Sequence, residues 1–259
     1  MPAETAEALI FRDYDNAPAV ANKDISRFMQ NLLVKHDVHE TGEPPVIQGI
    51  VINLEADRLK YQQMTTRLQQ FGIPHKRFNA VSGKEIFENF KAQRKFENNG
   101  YALRAHQVGV WQSHYAIWKA MVEQKIDKLF IFEDDCSFVH DFDVMYHKTL
   151  ELVRDKDYEI LFVGYSGASI DVENELHLVD VGVPRCLHSY VLTRAGAQKL
   201  VERMAVIDYP IDETIGRMFY RKQLVGYRTS YLLVYQPWQK REDKYPLPSR
   251  YVKRFDGLV

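Results

Sequence analysis

The sequence predicts an α/β domain with a mostly parallel central sheet and flanking helices. Two observations carry that expectation. From Val46 onward, short β-branched or apolar runs alternate with longer segments of helical period. One of those runs, "KLFIF", ends abruptly in Glu133, Asp134 and Asp135, and open α/β sheets bind ligands beyond the carboxyl ends of their strands.

The elements follow in order. "VIQGIVINL" reads as the first strand, and "DRLKYQQMTTRLQQF" as a helix that Gly72 and Pro74 stop. "HKRFNAVSG" is a short second strand ending at Ser82 and Gly83, and "YALRAHQVGVWQSHYAIWKAMVEQK" is a long aromatic-rich helix leading into "KLFIF". Next come helix "DVMYHKTLELVRD", strands "EILFVGY" and "CLHSYVLT", helix "RAGAQKLVERM", a short helix after Pro210, and a single strand "RTSYLLVYQ". Residues 46–238 form the main domain in this reading. Residues 1–45 are a helical appendage in which Ile25, Phe28, Met29, Leu32 and Leu33 make one apolar stripe. Docking on the main domain and service as a partner-binding or flexible leader both remain open for it; the stripe at 24–36 also gives a homodimer a natural seam. Residues 239–259 are a proline-punctuated tail with six basic residues from Lys240 to Arg254.

Composition narrows the function classes. The chain has 259 residues, 46% of them hydrophobic, which is ample for a packed core. Lys and Arg total 34 against 35 acids, so no global field recruits nucleic acid or an anionic membrane. Cys136 and Cys186 are too few for a disulfide framework and match no zinc-ligand spacing. No signal-peptide pattern opens the chain, and no run approaches the roughly 18 apolar residues of a membrane span. The expectation is a protein without a membrane span in a reducing compartment, the cytoplasm of a bacterium or of a viral host.

The acids carry the chemistry. In extended geometry Glu133 and Asp135 point to one side and Asp134 to the other. Two carboxylates that close repel and raise each other's pKa unless a cation lies between them. Oxygen-rich, thiol-poor ligation suits Mg²⁺ or Mn²⁺, which keeps water and substrate phosphate in its shell, so a diphosphate is the natural partner. The competing reading is that Asp134 or Asp135 caps the next turn and the others are solvated.

"VINLEADRLKYQQMTTRLQQFGIPHKRFNAVSG", "GVWQSHYAIWKAMVEQKIDKLFIFEDD", "YVLTRAGAQKL" and "YPIDETIG" resemble, in this order, the blocks of glycosyltransferase family 25, which includes lipooligosaccharide and procollagen galactosyltransferases. The likeness runs from about Val46 to Gln236. It departs from the family pattern at "GVWQSH", where a cysteine and a small residue often precede the Ser-His pair. The resemblance implies a GT-A type nucleotide-binding fold and an inverting transfer, typically of galactose from UDP-galactose, to a glycan or other hydroxyl acceptor. It implies a divalent ion, Mn²⁺ or Mg²⁺, at Glu133 and Asp135, with Asp134 beside it at the donor. His188, in "CLHSYVLT", lines up with a family histidine that completes the ion's shell or touches a phosphate; a core histidine at a strand edge is the alternative.

Asp212 and Glu213 fall in the block that resembles the acceptor side, making Asp212 the candidate base and Glu213 its alternate. Acids in a first helical turn are also what the helix dipole favours. Asn53, Leu54 and Arg58 after the first strand, and Ala80, Val81 and Gly83 after the second, stand where a nucleotide-binding sheet meets base and ribose; Arg58 is equally an ordinary helix charge. Ser113 and His114 come near the donor by resemblance, with Trp111 and Trp118 packed in the core. Gln236, Pro237 and Trp238 contact nucleotide or acceptor, or simply end a strand. Two rival functions stand beside the transferase: an inactive glycosyltransferase-shaped binding scaffold, and a metal-dependent phosphohydrolase or nucleotidyltransferase. The intact "EDD" and "PIDE" speak against the first, and the single acidic cluster against the second.

Overall fold

Strands that are apolar at every position have to be covered on both faces, and this sets the architecture. The computed structural model describes residues 47–84, 86–87, 103–166, 176–179, 184–204, 209–230 and 232–237. The expected helix at 24–36, the tail at 239–259 and Trp238 lie outside them. Strands β1 (Gly49–Asn53) and β3 (Lys128–Glu133) send alternate side chains into two separate cores. Ile50, Ile52, Leu129 and Ile131 enter one; Val51, Phe130 and Phe132 enter the other. Helix α1 (Arg58–Gln70) and α3 (Phe142–Leu152) close the second core through Met64, Leu68, Phe142, Met145 and Leu150. Helices α2 (Ala105–Glu123), α4 (Arg194–Arg203) and α5 (Ile211–Tyr220) close the first. α2 is buried on nearly every side, with Trp111, His114 and Trp118 among its inward residues, which is why its sequence shows aromatic density rather than a clean polar face.

The remaining strands are β2 (His75–Asn79), β4 (Ser137–Phe138), β5 (Ile160–Ser166), β6 (Leu176–Leu178), β7 (Arg185–Thr193), β8 (Gly226–Thr229) and β9 (Val234–Tyr235). Among the described residues a seven-stranded sheet runs β2-β1-β3-β7-β5-β8-β6. β2, β1, β3, β5 and β8 share one direction, and β7 and β6 oppose it. This is the mostly parallel α/β sheet that the alternation predicts.

The structure corrects two details. "RTSYLLVYQ" is not one strand: β8 stays in the main sheet, the chain bends at Ser230, and β9 leaves to pair antiparallel with β4 just after the acids. Buried Leu233 anchors the departure, its N–H donating to Val163 O at 3.0 Å and its carbonyl accepting from Val139 N at 3.0 Å. The second strand stops at Asn79, and 80–82 is a loop.

That loop is clamped onto α2. The Ser113 hydroxyl accepts from Val81 N–H at 2.9 Å and donates to Gly109 O at 2.7 Å. Gly109 permits the approach: a Cβ there would lie 2.7 Å from Gly83 N and 2.7 Å from Val81 O, both backbone atoms. Gly109→Ala therefore costs about 1–3 kcal/mol by overpacking, and Ser113→Ala about 1–3 kcal/mol by stranding the Val81 donor, both read from urea unfolding curves.

Candidate functional site

The chain goes from β1 outward to β2 and then returns to lay β3 on the other side of β1. Such a reversal opens a crevice at the carboxyl ends of the two central strands. A cleft of about 960 Å³ occupies that position. Its walls come from the turn after β1 (Leu54, Asp57, Lys60), the loop after β2 (Ala80, Val81, Gly83) and α2 (Ser113, His114), and its floor from Glu133, Asp134 and Asp135.

Each acid has its own brace. Asn53 is buried, and its amide orientation is set by Arg77, whose Nε donates to Asn53 Oδ1 at 2.8 Å. The Asn53 Nδ2 is thereby turned to Asp134 Oδ2 at 2.6 Å. Lys60 Nζ stands 3.1 Å from Asp57 and 3.9 Å from Asp134. Gln236 Nε2 donates into the other pair, 3.0 Å from both oxygens of Asp135 and 3.2 Å from Glu133 Oε2. Glu133 Oε1 faces His114 Nε2 at 3.6 Å. The turn that follows is pinned by Arg67 Nη1, which donates to Cys136 O at 2.6 Å.

Burial pushes the Asp135 carboxyl above its ordinary range, and the Glu133 charge adds to this while Gln236 works against it. Burial likewise raises Asp134, against the pull of Asn53 and Lys60. For Glu133 burial also opposes the charge, but the facing His114 ring and then His188 outweigh it, and its carboxyl is held below the usual glutamate value. The floor is thus short of positive charge around Asp134 and Asp135. Cys136 and Cys186 contribute no nucleophile: burial drives both thiols up, and Cys136 is spent donating to His188 O at 3.0 Å.

The donor set suits a hard divalent cation. Among the described residues no three His, Cys, Asp or Glu side chains are gathered into a metal-holding group. Two carboxylates are nevertheless aimed at one nitrogen, and Mg²⁺ commonly takes one or two carboxylates with the rest of its shell from water and phosphate. His188 is fully buried, does not line the cleft, and its Nε2 faces Val234 O at 3.2 Å. A carbonyl only accepts, so Nε2 carries the proton and Nδ1 is a buried lone pair with no partner.

The other expected residues divide. Leu54, Ala80, Val81, Gly83, Ser113 and His114 line the cleft, Ser113 with its hydroxyl already committed to the loop. Asn53 positions Asp134 from behind the cleft wall. Arg58 stays outside: its side chain is 74% exposed and paired with Glu55 one turn earlier. Asp212 and Glu213 open α5 and do not line the cleft. Asp212 Oδ2 accepts from Cys186 N at 3.1 Å, Oδ1 from Glu213 N at 3.0 Å, and Glu213 reaches Arg185 at 3.4 Å. Sequence reasoning missed Lys60, Arg77, Gly109 and Tyr190. Lys60 alone had a local signal, the Asp57 three residues before it on the same helical face.

Residues 46–215 match the model of Glycosyltransferase family 25 (LPS biosynthesis protein). Procollagen galactosyltransferase 2 of Homo sapiens is 26% identical over 197 residues, covering 70% of this chain and 32% of its own length. A Bos taurus relative, described as "Probable inactive glycosyltransferase 25 family member 3", is 27% identical and covers 65% of this chain and 31% of its own length. The chain therefore spans about a third of the length of these curated relatives. Among solved structures, the inositol-1-phosphate CTP transferase from T. maritima superposes with a TM-score of 0.42 and 13% identity, over 82% of this chain and 96% of that one. With its model matched over 46–215, the chain belongs to glycosyltransferase family 25.

Proposed function

We propose that this protein transfers a sugar, galactose from UDP-galactose, with inversion to a hydroxyl of a glycan or glycoconjugate, and does so with a divalent cation, Mn²⁺ or Mg²⁺. One observation carries the reading: two carboxylates at a buried strand end converge on a single donor nitrogen at the floor of a cleft of about 960 Å³. That volume falls in the range of cofactor sites. Family membership and the galactosyltransferase name of the human relative support the donor.

A bound cation supplies neutralisation of the charge that develops on the departing diphosphate. Glu133 and Asp135 would hold it, with His188 Nδ1 as the remaining buried donor nearby. Asn53 and Arg77 fix Asp134 beside the donor, Lys60 offers an ammonium to phosphate oxygens, and the loop at Ala80, Val81 and Gly83 lets the uracil approach backbone. Asp212, with Glu213 as alternate, takes the acceptor hydroxyl's proton as its oxygen bonds to the anomeric carbon and the bond to the diphosphate breaks. The bovine relative described as "Probable inactive" keeps a scaffold reading in view. UDP-galactose hydrolysis that needs Mn²⁺ and stops with chelator supports the transferase; silence across UDP- and GDP-sugars, with no thermal shift from any of them, supports the scaffold.

Asp135→Asn lowers turnover at least 100-fold, while the melting temperature of the ligand-free protein at neutral pH rises by a few degrees, because a buried charge beside Glu133 is removed. The pH dependence has a defined sign. Asp135 has a raised folded pKa, so the folded state binds its proton more tightly than the unfolded chain. Its favourable contribution is full below the ordinary aspartate pKa and is lost as pH rises through the raised value. The melting-temperature difference between Asp135→Asn and wild type therefore widens from acid to neutral pH, and saturating Mn²⁺ reverses its sign. Asp212→Asn lowers turnover by about 10²–10⁴ if it is the base, with a modest fall in melting temperature because the amide keeps one accepting oxygen for the two backbone N–H groups that the carboxylate takes. Retained turnover in that variant removes the role.

A further inference from the structure

Behind Glu133 lies a buried chain of polar groups that neither the cation nor the donor reading uses. Trp118, His114 and Tyr190 are all fully enclosed between α2 and β7. Trp118 Nε1 donates to the Tyr190 hydroxyl at 2.9 Å, and His114 Nδ1 stands 2.8 Å from the same oxygen. His114 Nε2 has no hydrogen-bond partner and points to Glu133 Oε1, 3.6 Å away, at the edge of the cleft.

Counting donors fixes the protons. An indole N–H only donates, so the Tyr190 oxygen accepts from Trp118 and its own proton needs an acceptor. Of its two hydrogen-bonded neighbours only His114 Nδ1 has a lone pair to offer. Placing the proton on Nδ1 instead strands the tyrosine proton in the core and turns a bare Nε2 lone pair toward a carboxylate, two unmet buried groups in place of one N–H that faces the Glu133 carboxylate at 3.6 Å. We infer that Tyr190, braced by Trp118, is a positioning residue that locks His114 as the Nε2–H tautomer, so that this N–H steers Glu133 Oε1 from beneath the cleft floor. In that form His114 is neither a base nor a metal ligand through Nε2, since the nitrogen that faces the site has no free lone pair. Glu133 is then oriented at both oxygens, Oε1 by His114 and Oε2 by Gln236.

The tautomer belongs to the protein alone. Long-range ¹H–¹⁵N correlation spectra of the full chain labelled at histidine nitrogen distinguish the two forms, with the His114 signals assigned by their loss in His114→Gln. The expected wild-type pattern is a protonated Nε2 and a bare Nδ1. Tyr190→Phe removes the lock, so the His114 pattern shifts to tautomer exchange and Mg²⁺-dependent UDP binding weakens about tenfold by calorimetry. A protonated Nδ1 in the wild type, alone or together with Nε2, overturns the inference without any variant. An unchanged His114 pattern in a folded Tyr190→Phe overturns it as well. The binding arm rests on the donor proposed above; should UDP fail to bind the wild type, that reading falls while the expected tautomer pattern still carries this one.

Discussion

Three carboxylates at the end of a strand that is otherwise sealed in the core set the terms for everything around them. Leu129, Phe130, Ile131 and Phe132 are fully buried, and the chain has no freedom to carry Glu133, Asp134 and Asp135 out into water before they appear. Burial and mutual repulsion therefore act on the acids at once, and the neighbouring elements answer with donors: Asn53 from β1, Lys60 from α1, His114 from α2, Gln236 after β9. A floor left with two carboxylates above their ordinary range is a place where added positive charge is worth more than in water.

The fold was legible because its signal is local. Runs such as "GIVIN" and "KLFIF" can only be strands covered on both sides, and the helical segments between them force parallel crossovers. The acids and the glycine- and serine-bearing loop after β2 were legible for the same reason, since they follow strands directly. What escaped were contacts across long separations. Gln236 meets Glu133 over 103 positions, and Tyr190 meets His114 over 76. Nothing within a window of either residue announces its partner. The split of "RTSYLLVYQ" escaped for a related reason: Arg228, Thr229 and Ser230 before the bend and Leu232, Leu233 and Val234 after it are all buried, so the pattern carries no mark of where the strand changes sheets. Arg58 illustrates the converse error, because a cation just after a nucleotide-binding strand draws the eye, whereas one turn of helix turns Arg58 to solvent and Lys60 to the cleft.

Side chains expected near the donor from their place at strand ends or from the resemblance stand at different depths in the structure. Leu54, Ala80 and Val81 form wall; Ser113 secures that wall to α2; Asn53 and Arg77 act one layer back through Asp134. The distinction matters for reading substitutions. A wall residue changes what the cleft accepts, while a brace changes where an acid points and therefore registers first as lost stability or misplaced charge.

The layout also bears on stereochemistry. In the transferase proposed above the nucleotide would take the part of the crevice that β1, β2 and α2 border, whereas Asp212 lies outside that lining, tied to the Cys186 amide at the start of β7. Burial raises the Cys186 thiol, and the charges of Asp212, Glu133 and Asp135 all add to it, so the start of β7 senses both the candidate base and the acidic floor. Inversion requires the acceptor oxygen to approach the anomeric carbon from the face opposite the leaving diphosphate. If the diphosphate lies over Glu133 and Asp135 as proposed, the base has to serve the opposite side of the anomeric carbon, and Asp212 is the candidate that stands outside the lining of the crevice.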